Sequence, residues 1–451
     1  MQTNARVGQV RQSRSGSRWT HGLLCMAGGA VILVTASPVL AVPSFSRQSG
    51  KSCSYCHTAF PELTAAGRKF KLEGYLLSNN EKVNQKTGDD TVLDINLIPA
   101  LSAMLQVTDT FIKTQPDPTT ASDGSDGKGI AAFPEEFSLF YGGEITPHMG
   151  AFIQATYAEG AFALDNTDIR YVAQVPLGDF HSLVLGLDAN NNPTVQDAWN
   201  TTPAWGFPFA GSEATPGPSL GQQISSVGGA VAGVSGYAYL DDMIYAEAGV
   251  YRSSAGPDES IQGGAPYGRV AVDKEFGNHS VEIGSFGYSQ RSYPAGTPAE
   301  GPRNWHNDVG ADAQYQFVGE DHIVTTHATW IEERGRLDAS VLAGGVSEPS
   351  SASKSLNVNA VYYFMRKVGL SVGYFSIEGN PDTLANAGSA NGDPSAAGMV
   401  YEADYMPWRN TKFSLQYTAY AKYNGATKDY DGADRNAADN NTVMAMAWLM
   451  F

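Results

Sequence analysis

Thr411–Lys422 reads TKFSLQYTAYAK. Alternate side chains of an extended chain point to opposite faces. Here Phe413, Leu415, Tyr417, Ala419 and Ala421 share one face, and Lys412, Ser414, Gln416, Thr418, Tyr420 and Lys422 share the other. The pattern recurs in Asp308–Phe317, where Val309, Ala311, Ala313, Tyr315 and Phe317 oppose Asp308, Asp312, Gln314 and Gln316. Ser355–Phe364 sets Leu356, Val358, Ala360, Tyr362 and Phe364 against Asn357 and Asn359. Alternations of about ten residues have the length a tilted strand needs to cross a bilayer. A soluble sandwich or barrel also alternates, so the connections must separate the two readings.

Short turns fall near Thr146–Met149, Leu177–His181, Asp241–Asp242, Gly277–His279, Val318–Asp321, Met365–Lys367 and Pro407–Asn410. Long Gly/Asn/Ser/Asp/Pro-rich loops fall near Lys113–Ala131, Ala158–Asp165, Asn190–Ser225, Arg252–Pro266, Gln290–His306, Arg334–Lys354, Gly379–Gly398 and Tyr423–Asn440. Seven turns and eight loops join sixteen strands. The fold class is therefore mainly β: a 16-stranded outer-membrane β-barrel over residues 91–451, porin-like, in contact with outer-membrane lipid. An even count places both chain ends on the periplasmic side and the long loops outside the cell. The last stretch, NTVMAMAWLMF with Phe451 at its end, resembles the C-terminal strand of outer-membrane proteins.

The first 41 residues read as a signal peptide. Arg6, Arg11, Arg14 and Arg18 form a basic start, Gly22–Ala36 is an uncharged apolar run, and small residues precede an expected cleavage after Ala41. The apolar run is shorter than the roughly 20 residues of a membrane helix. Losing four arginines takes the formal net charge from −17 to −21. A chain this acidic repels nucleic acid and attracts cations. Cys25 leaves with the signal, so Cys53 and Cys56 are the cysteines that remain.

Residues 42–90 form a second, smaller segment, VPSFSRQSGKSCSYCHTAFPELTAAGRKFKLEGYLL at its start. CSYCH is the C-x-x-C-H arrangement of c-type haem attachment. Two thiols one helical turn apart can add to the two vinyl groups of one haem, and the adjacent His57 then lies beneath the iron as proximal ligand. A zinc site would need two further ligands close by, and no Cys or His occurs between His57 and His148. The segment thus reads as a monohaem cytochrome c with one haem c on Cys53, Cys56 and His57. Pro61–Tyr75 has the pattern of a short amphipathic helix, with Leu63, Ala66, Gly67 and Phe70 on one face towards haem or its own segment. Residues 42–90 contain no methionine and no second histidine. The sixth iron ligand then comes from the rest of the chain, from an unusual donor or from water. Met104 in the first strand and His148 and Met149 in the first turn are the candidates, each with a purely structural role as the competing reading. About 50 residues make a poor independent core, so the segment is expected inside the barrel as a plug.

RQSGKSCSYCHTAFPELTAAGRKFKLEGY (Arg47–Tyr75), followed by a barrel containing NNNPTVQDAWNTTPAWGFPF (Asn190–Phe209), resembles the fused outer-membrane cytochrome–porins of iron-oxidising bacteria. The resemblance spans the mature chain and is specific in the haem segment and the third long loop. It implies an oxidoreductase of extracellular electron transfer. Fe(II) would give up an electron at the cell surface, and the single haem would pass it to a periplasmic carrier, a soluble c-type cytochrome or a copper protein. The alternatives are a porin-like channel with a haem-bearing plug, or a cytochrome–porin for another donor. Asp117, Asp123 and Asp126 in the first loop and Asp429, Asp431 and Asp434 in the last are hard oxygen donors suited to weak Fe²⁺ contact. Plain solvation of their loops is the favoured reading. Cys53→Ala and Cys56→Ala are each expected to weaken or abolish covalent haem attachment. A haem stain of the denatured protein that kept wild-type strength in both would contradict the assignment.

Overall fold

The computed structural model describes residues 43–76, 82–86, 92–114, 129–158, 160–178, 181–254, 259–297 and 299–451. The signal segment and Asp117, Asp123 and Asp126 lie outside the described residues. Sixteen antiparallel strands form one closed barrel. They are β1 Leu101–Ile112, β2 Gly129–Thr146, β3 Met149–Ala158, β4 Ala161–Leu177, β5 His181–Asn190, β6 Val231–Leu240, β7 Ile244–Ser253 and β8 Ala265–Phe276. The second half comprises β9 His279–Tyr293, β10 Asn304–Val318, β11 His322–Leu337, β12 Ser350–Phe364, β13 Val368–Gly379, β14 Ala396–Trp408, β15 Thr411–Lys422 and β16 Thr442–Met450. Each strand pairs with the next, and β16 returns to β1 in the register Thr442↔Ile112 to Met450↔Met104. Phe451 extends the seam by exchanging both backbone bonds with Ala103, at 2.9 and 2.7 Å.

The strand faces follow the alternation. In β15, Leu415 is 56% exposed on the outside while its neighbour Gln416 is 3% exposed on the inside. The outer wall carries exposed Leu185, Leu187, Val270, Ile283 and Leu370. Trp408, Tyr405, Phe413, Phe364 and Phe276 are exposed near the short turns, and Trp305, Phe162 and Phe133 near the opposite rim. An apolar band between two aromatic girdles is the surface that a bilayer covers. The barrel is of outer-membrane type.

All seven expected turns are present. Two are tight turns with both central residues at positive φ, Asp241–Asp242 and Met365–Arg366. They are closed by Met243 N–H to Leu240 O and Lys367 N–H to Phe364 O, both 3.0 Å. The right-handed twist of the flanking strands favours this geometry. One expected long loop is not a loop. β3 and β4 keep pairing through Ala155↔Leu164 to Ala158↔Ala161, and Gly160 at φ +82° closes the connection. The polar residues after Ala158 read as loop, but Asp165 belongs to the strand.

Residues 43–76 fold inside the barrel as three short helices: α1 Pro43–Ser49, α2 Cys53–Cys56 and α3 Ala65–Leu72. The expected helix Pro61–Tyr75 therefore begins later and ends earlier. Its N-cap is Thr64, whose hydroxyl accepts from Gly67 N–H, and the residues before it are held in a turn. The plug sits at the short-turn end. Lys69 reaches Asp242 at 2.6 Å, and Arg366 Nη1 donates to the Ser54 carbonyl at 3.4 Å. The wall gives way to it: a Cβ at Gly142 would lie 2.9 Å from the Phe45 ring, and one at Gly143 2.6 Å from Gln48 Oε1. An antiparallel hairpin, Lys82–Lys86 with Val92–Asn96, precedes β1.

The orientation can be tested on intact cells. A protease-cleavable tag after Gly345, beside the 75%-exposed Leu342, is expected to be cut from outside. The same tag between Asp242 and Met243 is expected to survive. Equal protection of both would contradict the topology.

Candidate haem centre

The C-x-x-C-H stretch occupies one helical turn. His57 N–H bonds to Cys53 O at 2.8 Å and ends α2, and the chain then leaves in extended geometry. It doubles back through a bridge between His57 and Leu63. Thr64 N–H closes on Cys56 O at 2.9 Å, and the Thr64 hydroxyl donates to Tyr55 O at 2.6 Å. These bonds lay α3 against Cys56 so closely that a Cβ on Gly67 would overlap the Cys56 carbonyl. Cys53 and Cys56 are not joined as a disulfide.

The turn also fixes the imidazole. His57 Nδ1 lies 3.2 Å from the Glu62 carbonyl. A carbonyl only accepts, so Nδ1 carries the proton and Nε2 keeps its lone pair. Burial pushes the His57 pKa down to about 4, so the ring is neutral at ordinary pH. Metal-ligating histidines commonly donate their other ring N–H to such a carbonyl. The Glu62 carboxylate accepts from Thr58 Oγ1 at 2.9 Å and lies 3.9 Å from His327 of the wall. His327 is itself a hydrogen-bonded wall residue, 3.0 Å from Gln314 Nε2 and 3.2 Å from Asn359 Nδ2.

A cavity of about 430 Å³ opens beside the motif, within the usual range for a ligand pocket. Cys53, Cys56, His57, Phe60, Gly67 and Phe70 line it from the plug, and Met104, Gln106, Glu136, Phe140, Phe152, Trp448 and Met450 from the wall. The third long loop, residues 191–230, turns inwards and covers the cavity with Asn200, Pro203, Trp205 and Phe209. Asp197 shapes this loop by accepting from the backbone of Trp199, Thr201 and Thr202 at 2.9 to 3.1 Å. Lys71 fastens plug to loop, donating to Val195 O at 2.6 Å and Asp197 O at 2.8 Å with its ammonium 4.7 Å from the Trp205 ring centre. Asn200 Oδ1 accepts from Leu63 N–H at 3.2 Å. Arg68, almost fully buried, binds Asp273 at 3.1 Å and Gln316 at 3.2 Å.

The residues fit a c-type haem. Two cysteines one turn apart, not joined as a disulfide, meet the cavity beside a neutral imidazole. Trp448, 8% exposed, lines the same cavity and its indole N–H has no partner among the described residues. A buried donor of this kind calls for an acceptor brought by a ligand. Of the candidate sixth ligands, Met104 lines the cavity. His148 does not; it is exposed, with its ring 6.0 Å from Tyr171, and Met149 lies outside the cavity as well. Met450, Trp448 and Lys71 were not anticipated. The signal for the first two was in β16, where Met444, Met446, Trp448 and Met450 alternate mainly with small alanines. That is the reverse of the polar-in pattern elsewhere.

The last loop uses its carboxylates internally. Asp429 accepts from Asp434 N–H at 2.8 Å, and Asp431 from Ala433 N–H at 2.9 Å and Arg435 N–H at 3.2 Å. Among the described residues no group of three or more His, Cys, Asp or Glu side chains is arranged for a metal ion.

No protein-family model matches the chain. No curated protein matches it either. Among solved structures it is similar to OmpF of Salmonella typhi in complex with daunomycin, at 14% identity over 82% of this chain and all of that one, with a TM-score of 0.46. It is also similar to an anion-selective porin from Comamonas acidovorans, at 13% identity over 78% and 98% of the two chains, with a TM-score of 0.46. A loop-deletion mutant of OmpT, an outer-membrane protein of Vibrio cholerae, gives 12% identity, 78% and 98% coverage and a TM-score of 0.45.

Gly67→Ala is expected to force α3 off Cys56 and cost about 1–3 kcal/mol, as overpacking does, with a lower yield of covalently bound haem. Gly345→Ala, where the nearest atom to the new Cβ lies at 3.7 Å, should change neither. Equal haem yield and melting temperature in the two variants would show that the contact is relaxed in solution.

Proposed function

We propose that the chain is an outer-membrane monohaem cytochrome–porin. One haem c, held by Cys53 and Cys56 with His57 on its iron, would carry electrons from extracellular Fe(II) to a periplasmic carrier. The observation that carries this reading is that the attachment motif and inward-facing wall residues line one cavity inside a membrane barrel. The apolar band of such a barrel is about 25 Å tall, and a cofactor below it would be far from an outside donor. The bound haem supplies a one-electron relay. Each Fe(II) becomes Fe(III) on the outer side, where the insoluble product stays out of the periplasm.

The chain's own residues do the rest. Burial keeps His57 neutral, and the Glu62 carbonyl orients it. The third loop, clamped by Lys71, restricts water above the cavity. Glu136 and Asp165 line the cavity on its loop side, where carboxylates are suited to brief contact with a hard divalent cation. A porin-like channel is the second reading, and the polar lumen favours it: Gln314, Gln316, Thr325 and Asp312 all face inwards and are buried. The plug and third loop fill much of that lumen.

The test uses purified full-length holoprotein under anaerobic conditions. Addition of Fe(II) is expected to reduce the haem rapidly, and planar bilayers containing the protein should conduct salt poorly. Haem that dithionite reduces but Fe(II) does not, together with steady single-channel conductance, would support the channel reading instead.

A further inference from the structure

A haem iron with one protein histidine takes its second axial donor from another side chain or from water. This inference rests on the haem reading above. Among the described residues no second histidine lines the cavity, and its two thioethers are those of Met104 and Met450. Other donors there are engaged. Lys71 is committed to Val195 O and Asp197 O, and the Tyr75 hydroxyl donates to Asp168 at 2.6 Å. Lys51 is exposed, with its ammonium 5.2 Å from the Tyr55 ring centre. The two methionines sit side by side across the barrel seam, Met450 paired with Met104, and both are buried.

One of them is oriented. Gln106 Nε2 donates to Met104 Sδ at 3.7 Å. That bond engages one of the two sulfur lone pairs and directs the other. No hydrogen bond holds the Met450 thioether among the described residues. We propose that Met104 Sδ is the sixth ligand of the haem iron, with Gln106 as its positioning residue. The first wall strand and the plug are then fastened to each other through the cofactor. This accounts for a cytochrome segment with no methionine and no second histidine of its own. A thioether opposite histidine also raises the reduction potential of the iron, which suits an acceptor for electrons from Fe(II).

The experiment compares full-length holoprotein with Met104→Leu, Met104→His, Met450→Leu and Gln106→Leu, all in detergent. Covalent haem is first measured by staining the denatured protein. The ferric wild type is expected to show the weak red-edge absorption of sulfur-to-iron charge transfer. Met450→Leu should keep that band. Met104→Leu should lose it with a fall in reduction potential, and Met104→His should give a low-spin spectrum without it. Gln106→Leu should keep the band and shift the potential; an unchanged potential would remove Gln106 from the assignment. A haem-loaded wild type without the band, a Met104→Leu protein that retains it, or loss of the band in Met450→Leu alone would overturn Met104. Absence of covalent haem from the wild type would instead overturn the haem reading itself.

Discussion

The pairing of β16 with β1 is the constraint on which the rest of the structure depends. In hydrocarbon every backbone N–H and C=O must find a partner within the protein, and a sheet achieves this only by closing on itself. Closure turns one face of sixteen strands into a wall and the other into an enclosed lumen. It also fixes what meets at the seam. In this register Met450 stands beside Met104, and β16 contributes Met444, Met446 and Trp448 to the interior. A slip of one residue would send those side chains into the lipid and bring alanines inwards.

A lumen of this kind is polar and would otherwise be wet. Buried ion pairs occupy it, most of them within the wall and some reaching the plug, where Arg68 binds Asp273 at 3.1 Å, and the third loop. Arg269, fully buried, lies between Asp312 at 2.7 Å, Glu282 at 3.2 Å and Asp197 of the loop at 3.4 Å, and Arg170 lies against Asp168 at 2.9 Å and Asp188 at 3.4 Å. Removing one partner from such a buried set leaves an uncompensated charge, which is costly. Arg68 of the plug and Asp197 of the loop belong to such sets and tie both segments to the wall. They give the plug and loop one position against the wall, and with it one position for the motif that they carry.

The wall was largely legible in the sequence because its code is local. Period-two alternation needs only neighbouring residues, and six of the seven short turns, all but Met365–Lys367, are marked by Gly, Asn, Asp or Pro. The connection after Ala158 was misread because Glu159, Asp165 and Asn166 look like loop residues, whereas Asp165 and Asn166 line the cavity. In a wet barrel, polarity marks the inside as often as it marks a loop. The plug was legible by what it lacks: too few residues for a core, and no methionine or second histidine of its own. The start of α3 was not, since Pro61 suits a first helical turn, while the Thr64 cap and the His57–Leu63 bridge depend on contacts with the preceding turn. Lys71 gives no such signal in the sequence. Its partners, Val195 and Asp197, are more than a hundred residues away and supply backbone carbonyls, which leave no trace in side-chain pattern.

The central claim is that a single cofactor inside the barrel connects the two sides of the membrane. It is tested most directly in sealed lipid vesicles carrying the full-length holoprotein, inserted with the long loops outwards, and a membrane-impermeant one-electron acceptor trapped within. Fe(II) is added outside. The account predicts that the trapped acceptor is reduced while iron stays outside, and that vesicles with the Cys53→Ala protein do neither more nor less than empty ones. An acceptor that stays oxidised while the haem is reduced from outside, or one reduced only as iron leaks inwards, would contradict it.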